Sequence, residues 1–418
     1  MNERQQHTLV FLFTTFLPEV SGSAIFNWER VQWFAKQGDY RVVVLAPDWQ
    51  NKLQLPSIPT NLEENLIIET YPSKPWLLYP LLHVPKFSAA SKISQKIAYY
   101  QPDLITVVDL ERLFLFSTWH LPGRRYAQIK KINFISEYHT DYYNHVTTYP
   151  AGKLLREILW KPITKYLYNK CDITISISPT ASKILQKMGI SNSRTIPMYG
   201  LDLSAYTPSR HNRQFLASWL TEKEQDNKVI LFLGRLALEK RIDLLIKAFS
   251  RLQQKQSNVS LIIAGDGPSE VVHQLKNLAK SIPNTHFIGF VHGEAKANLL
   301  ASCDVYCSPA PYETFGRTLV EAMSSGTPVI SVNSGGVSDY IVNGINGYLV
   351  PPNDVEELSN TIEKVLSQNN ENIIQRACQD AQQFSLEQGC QKLHVYYQEL
   401  LNSRFDDNFL KSKAVEQV

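Results

Sequence analysis

Alternation constrains this chain more than any other feature. Short apolar runs with strand character at 9–13, 41–46, 103–108, 133–136 and 172–177 are separated by helix-compatible amphipathic stretches near 24–37, 111–118, 151–170 and 179–188. The second half repeats the pattern. Strand-like runs at 229–233, 260–264, 286–288, 305–308 and 329–332 alternate with helix-like stretches near 240–255, 268–281, 293–302 and 316–325. Strands that alternate with helices in this way build parallel sheets with crossover helices. The fold class expected is therefore α/β, with two doubly wound, Rossmann-like domains. The halves meet at 197–212, a stretch rich in turn residues, so one domain is expected over 1–200 and a second over 201–385. A final amphipathic helix is expected over 386–403, followed by a loose polar tail after Arg404. A chain of 418 residues suits two or three domains.

In doubly wound sheets ligands gather at the carboxyl ends of the strands, so the loops after the apolar runs are where chemistry is expected. The segment 313–321 reads E-T-F-G-R-T-L-V-E. Glu313 and Glu321 stand eight positions apart around Phe315-Gly316. A helix-compatible run follows and stops at Ser325-Gly326-Thr327-Pro328. This predicts a loop that ends in a helix N-terminus, whose free N–H groups attract anions. An acid at each end and an anion-attracting backbone between them suit a ligand with hydroxyls at both ends and phosphates in the middle. A nucleotide-sugar is such a ligand.

The run 229–233 is followed by Gly234-Arg235 and then Lys240. A departing diphosphate needs its charge stabilised, and Arg grips it with a planar fork. A cation at a helix start opposes the dipole and so calls for an anion partner; the plainer alternative is a solvated lysine. Gly265-Asp266-Gly267-Pro268 reads as a turn, with Pro268 opening the next helix. Gly289-Phe290-Val291-His292 reads as a wall for a nucleobase, with backbone groups reading its edge and His292 at the surface.

In the first half, Ser21-Gly22-Ser23 leads into a helix, and small residues there let a phosphate approach the backbone. There is no G-x-G-x-x-G fingerprint, which disfavours a plain dinucleotide site. His139, among Glu137, Tyr138, Thr140 and Asp141, stands at a strand end as a candidate for sugar hydroxyls, with Tyr142 and Tyr143 available to stack on an acceptor.

Composition removes several function classes. The net charge of +3 does not argue for nucleic acid. Five cysteines, scattered and odd in number, point to reduced thiols in a cytosolic setting, with Cys303 and Cys307 as core residues. No apolar run reaches the ~18 residues of a membrane span. The run at 9–13 is too short for a signal sequence and reads as the first buried strand. The absence of an Asp-x-Asp signature predicts no metal, with Arg235 and Lys240 in its place. No cofactor is expected beyond the donor substrate.

The acceptor is expected on the first domain. The segment 76–82 is unusually apolar for a connection. Residues 153–170 mix Lys153, Arg156, Lys161, Lys165 and Lys170 with Leu154, Leu155, Ile158, Leu159, Trp160 and Tyr166. This suits either an anionic bilayer surface or a core-packed helix with a solvated basic face. Pro162 speaks against one continuous helix.

Taken together, these residues resemble the retaining GT-B glycosyltransferases, in the branch that holds glycogen-synthase-like and lipid-mannosyl enzymes. The resemblance is strongest from Val229 to Asp354. It rests on Gly234-Arg235 with Lys240, Ala264-Gly265-Asp266-Gly267, the Glu313-to-Glu321 spacing, Gly326-Thr327-Pro328-Val329, Gly335-Gly336 and Asn346-Gly347-Tyr348-Leu349-Val350-Pro351-Pro352. The first half matches through Phe16-Leu17-Pro18 with Gly22, and His139-Thr140. The resemblance implies two Rossmann-like domains facing across a cleft, with the last helix returning to the first domain. It implies that Arg235 and Lys240 hold the diphosphate and that Glu321 binds the ribose hydroxyls. Glu313 and the backbone of Thr314, Phe315 and Gly316 would hold the donor sugar. His139 would touch the sugar from the opposite domain, and the Gly22 loop would complete the phosphate pocket. The family often carries two adjacent glycines in that loop, where this chain has Ser21-Gly22-Ser23.

The activity implied is metal-independent transfer of a sugar from a nucleotide-diphosphate sugar to a lipid, lipid-linked or polysaccharide hydroxyl. Configuration would be retained by a front-face route in which the leaving phosphate acts as base. Peripheral contact with the inner face of a membrane would accompany a lipid acceptor. The alternatives are a nucleotide-sugar epimerase on the same fold and a non-catalytic sugar-nucleotide-binding module.

Overall fold

The computed structural model describes residues 6–19, 21–49, 62–76, 79–114, 119–148, 151–197 and 200–403. The chain divides into two compact units, Met1–Gly200 with Leu386–Val418, and Leu201–Ser385. Each is a parallel α/β layer structure of its own.

The first unit is built on β1 (His7–Leu12), β2 (Tyr40–Pro47), β3 (Leu66–Tyr71), β4 (Ser73–Trp76), β5 (Tyr79–Pro85), β6 (Leu104–Val108), β7 (Asn133–Tyr138), β8 (Ile173–Ser176) and β9 (Ser193–Thr195). Seven of these form one sheet in the order β3-β2-β1-β6-β7-β8-β9, and β4 with β5 makes a separate antiparallel hairpin. The central strands are near-continuous apolar runs because helices cover both faces of a parallel sheet. Residues 8–12 of β1 and every residue of β6 are buried. The apolar segment expected as a connection at 76–82 is largely hairpin strand, while Leu77 and Leu78 lie outside the described residues. The helix expected at 111–118 is seen as Leu110–Leu113, with 115–118 outside the described residues. The tail after Arg404 is also outside them.

Two local features differ from the sequence expectation. Ser21, where the resembling family often has glycine, is the N-cap of the helix Gly22–Lys36, with its Oγ accepting from the Ala24 amide at 3.2 Å. Residues 152–168 are helical throughout despite Pro162, as an α-turn Gly152–Leu155, a π-helical turn Arg156–Trp160 and an α-helix Lys161–Tyr168. Proline lacks an N–H and crowds the carbonyl four residues back, and the wider π-turn just before it relieves that conflict.

The helix Leu386–Asn402 belongs to the first unit and packs on Gly22–Lys36. Trp33 Nε1 donates to Glu387 Oε2 at 2.6 Å, and Tyr40 Oη lies 3.0 Å from His394 Nδ1.

The second unit carries β10 (Lys228–Leu233), β11 (Val259–Ala264), β12 (Thr285–Gly289), β13 (Val305–Ser308), β14 (Val329–Val332) and β15 (Tyr348–Val350), all parallel in the order β12-β11-β10-β13-β14-β15. Its core packs Ile230, Phe232, Leu261 and Ile263 against Leu245 and Phe249 of the helix Ile242–Gln253. Cys303 and Cys307 are buried, and all five cysteines are free. Among the described residues no helix is long and apolar enough to cross a membrane.

Strand order reverses between β10 and β13 in this sheet, and between β1 and β6 in the first. Such switch points open a crevice beyond the carboxyl ends of the two strands. In the second unit the loops that flank it are those carrying Arg235 to Lys240 and Glu313 to Gly316.

Candidate active site

The second unit gathers most of the residues singled out in the sequence. Arg235 follows β10 after Gly234, and its guanidinium pairs with Glu239. Lys240 ends the short 3-10 turn Leu238–Lys240, and its ammonium donates to Glu313 Oε1. The cation expected to call for an anion therefore has a carboxylate partner, and that partner is the first glutamate of the 313–321 pair. Both side chains of the Lys240–Glu313 pair keep about a fifth of their surface, so a ligand can reach them. Glu239 was missed in the sequence because a lone Glu beside Lys-Arg reads as an ordinary surface charge.

Two glycines let the loops after β10, β11 and β12 touch backbone to backbone. The Gly234 amide donates to the Ala264 carbonyl at 3.0 Å, the Leu236 amide to Asp266 at 2.8 Å, and the Gly265 amide to Gly289 at 2.7 Å. A Cβ on Gly265 would stand 1.9 Å from the Gly234 carbonyl oxygen, and one on Gly267 would stand 1.9 Å from that of Leu236. The Gly265-Asp266-Gly267 turn thus braces the Arg235 loop, a larger role than a plain turn. Pro268 takes the N-cap position before the helix Ser269–Ala279 instead of its first residue.

The loop after β13 is equally constrained. The Gly336 amide donates to the Glu313 carbonyl at 2.7 Å, and Gly335 (φ +67°) passes so close that a Cβ would meet the same oxygen at 2.3 Å. Phe315 is buried between Tyr340 and Phe384, with ring centroids 5.5 and 5.1 Å away, and the Tyr340 hydroxyl donates to the Phe315 carbonyl at 2.6 Å. Gly316, at φ +81°, is the N-cap of the helix Arg317–Ser324. It has no side chain to occupy the first-turn amides, which suits an anion at that helix start. Thr314 lies between these anchored points and is half-buried.

Glu321 sits in the interior of that helix and is buried, with its Oε2 2.5 Å from Lys296 Nζ. Lys296 belongs to the helix Gly293–Ser302, and its ammonium also lies 5.5 Å from the Tyr206 ring centre. Sequence reading missed Lys296, which carries no motif and is brought to Glu321 only by the packing of two crossover helices. Beneath the site, the buried Tyr306 hydroxyl donates to the Leu233 carbonyl at 3.1 Å. Burial, reinforced by the nearby Glu313 and Glu321, pushes it well above its ordinary pKa, so it stays a neutral donor. Gly289 ends β12 at φ +74° with open space where a Cβ would point, and Val291 lies between it and the next helix.

In the first unit, Gly22 is exposed at the first position of its helix. His139 stands just past the end of β7, but its ring is turned inward with no exposed side-chain surface. Its Nε2 lies 2.8 Å from Glu137 Oε2, and the same oxygen accepts from Arg30 at 2.6 Å. Burial alone would raise the Glu137 carboxyl; Arg30 and His139 outweigh it and hold the group below the usual carboxylate range. No group of three or more metal-ligating side chains is found among the described residues.

Residues 217–380 match the model of Glycosyl transferases group 1, and residues 20–199 match that of Glycosyltransferase Family 4. The sulfoquinovosyl transferase SQD2 of Arabidopsis thaliana is 27% identical over 64% of this chain and 50% of its own length. The alpha-monoglucosyldiacylglycerol synthase of Streptococcus pneumoniae is 27% identical over 77% of this chain and 70% of its own. The chain spans about half the length of the first curated relatives it matches. Among solved structures, HepE from Anabaena in complex with UDP and glucose superposes with a TM-score of 0.72 at 22% identity, covering 94% of this chain and all of that one. The two parallel sheets and this likeness are those of a GT-B fold.

Proposed function

This chain belongs to the group 1 glycosyltransferases, and we propose that it moves a sugar from a nucleotide-diphosphate sugar to a hydroxyl of a lipid, lipid-linked or polysaccharide acceptor, without a metal and with retained configuration. The observation that carries this reading is the placement of Arg235, Lys240 and Glu313 on the loops around the β10/β13 switch point, with Glu321 on the helix that follows.

The chemistry follows from charge. As the diphosphate leaves, the anomeric carbon becomes cationic and the phosphate oxygens gain negative charge. Arg235 and Lys240 oppose that negative charge, and stabilisation present only in the transition state lowers the barrier. For Lys240 to do so, it must share its ammonium between Glu313 and the phosphate. Glu313, with the backbone of Thr314, Phe315 and Gly316, holds the sugar hydroxyls. Glu321 accepts from the ribose hydroxyls. Gly289 and Val291 flank the base, and in the first unit the Gly22 helix start is the candidate for phosphate. His139 is the first unit's candidate for the sugar, and a contact through its Nε2 requires that atom to leave Glu137. Of the enzymatic alternatives, an epimerase would turn over donor without an acceptor. A lipid acceptor, in keeping with the diacylglycerol in one relative's name, would bring the chain to the inner face of a membrane as a peripheral protein.

Release of nucleoside diphosphate from UDP-, GDP- or ADP-sugars, measured with and without lipid extracts or oligosaccharides, tests the proposal. Acceptor-dependent release supports transfer. Release that ignores the acceptor, or conversion of the donor sugar without release, supports the epimerase reading instead.

A further inference from the structure

Residues 152–170 hold five basic side chains and one acidic one, Glu157. The sequence left two readings for this segment, and the structure separates them by exposure. Leu154, Leu155, Ile158 and Leu159 are 63, 44, 68 and 48% exposed, so the aliphatic side chains are not packed into the core. Thr164, Leu167 and Tyr168 anchor the other side of the segment.

The π-helical turn Arg156–Trp160 brings residues four and five apart close to the same line. Leu154 and Ile158, and Leu155 and Leu159, thereby fall on one outward face. An aromatic group extends it: Phe114 lies 5.5 Å from Trp119 and 6.5 Å from Tyr166, and both Trp119 and Tyr166 are 55% exposed. Lys153, Lys165 and Lys170 are exposed beside these residues, and Lys170 lies 5.3 Å from the Tyr166 ring centre. The one acid is neutralised locally, since Glu157 pairs with Arg156 at 2.9 Å and Lys161 at 3.5 Å.

We propose that the face carrying Leu154, Ile158, Leu159 and Tyr166 docks onto an anionic lipid bilayer, the aliphatic residues entering the acyl boundary and the lysines meeting the headgroups. Charge complementarity selects this partner. A second copy meeting the same patch would place two basic surfaces against each other, which disfavours a symmetric dimer through this face. Apolar side chains with amphipathic aromatics and long basic chains are the composition of an interfacial helix. The proposal deepens the reading of a lipid acceptor and rests on it for its purpose, but docking itself is separable from transfer.

The test is co-flotation of the full chain with vesicles of phosphatidylcholine alone or mixed with phosphatidylglycerol, at low and high salt. Binding to the anionic vesicles is expected, weakened by salt. Leu154→Asp with Ile158→Asp should reduce it roughly a hundredfold or more. Lys153→Gln or Lys165→Gln should each weaken it about fivefold. Because these side chains are exposed, the fold should persist, which an unchanged thermal response to nucleoside diphosphate would verify. Trp119 emission, read as the difference between native protein and Trp119→Phe, should shift to the blue on vesicle binding. No flotation, flotation indifferent to these variants, or a change in oligomeric state in place of vesicle binding would overturn the proposal. Vesicle binding with no transfer to any lipid acceptor would retain the docking face and reject the lipid-acceptor reading.

Discussion

Lys296 Nζ lies 2.5 Å from Glu321 Oε2, joining two successive crossover helices and giving a buried carboxylate its cation. The pair fixes where the carboxylate presents its oxygens. Removing either partner leaves the other charge without compensation, and the ammonium, 18% exposed against 3% for the carboxylate, is the better placed to reach water. Lys296→Met is therefore expected to cost about 2 kcal/mol or more of second-unit stability. Glu321→Gln should cost less stability than Lys296→Met but weaken nucleoside diphosphate binding about tenfold. Chemical denaturation and calorimetric titration of both variants check this.

The glycine turn after β11 separates steric from conformational demands. Gly265→Ala and Gly267→Ala would each force a Cβ against a carbonyl oxygen of the Arg235 loop. Each should cost about 2 kcal/mol or more and depress donor binding with it. Gly289→Ala meets nothing within 4 Å and pays only for its φ of +74°, so about 1 kcal/mol is expected. Thermal unfolding of the three variants gives the ranking directly.

Ser21 caps the helix Gly22–Lys36 through the Ala24 amide. Ser21→Ala should lose about 1 kcal/mol, and Ser21→Gly only a few tenths. The glycine variant restores the paired glycines usual in the resembling family, and donor binding should survive in it. A loss of donor binding in Ser21→Gly, at unchanged stability, would show that the hydroxyl serves a ligand and not the helix.

The first unit carries an acid that favours low pH. Glu111 is buried, and burial raises its pKa to about 8, with the Tyr168 hydroxyl donating to its Oε2 at 2.8 Å. The unfolded chain releases this proton near the ordinary carboxylate value, while the folded unit keeps it until about 8. Stability from this group is thus complete at acid pH and declines as pH rises between those values, by on the order of 1.4 kcal/mol per unit. Glu111→Gln, which mimics the protonated form, should flatten that decline. A first-unit unfolding midpoint that falls just as steeply with pH in the variant would exclude Glu111 as its source.

Much of this architecture was legible because parallel strands buried on both faces read as bare apolar runs. β13 and β14 lie where their sequences indicate, and the helices after β10, β12 and β13 start within two residues of expectation. β15 escaped because three strand residues follow Asn-Gly and precede Pro-Pro, which reads as turn. β9 is equally short and entirely polar. Candidate site residues announced themselves where a glycine or a charge at a strand end had no structural reason to be there, as at Arg235 and Glu313. Their partners did not. Glu239, Lys296, Glu137 and Arg30 are ordinary charges until the fold brings them together, and the inward turn of the His139 ring depends on a buried ion pair that no local pattern reveals.

The central claim is that the second unit binds a nucleotide-diphosphate sugar through Lys240 and Glu313, and the most direct measurement is thermal stability with UDP-, GDP- and ADP-sugars, in native protein, Lys240→Ala and Glu313→Ala. A donor at about 100 times its Kd should add roughly 2.7 kcal/mol to the native second unit. One nucleotide class should stabilise the native protein, and Lys240→Ala should abolish the response with little change in unliganded stability, the pair being partly exposed. Transfer with that donor should fall by about a hundredfold or more in both variants. Native-like stabilisation and transfer in both would contradict it.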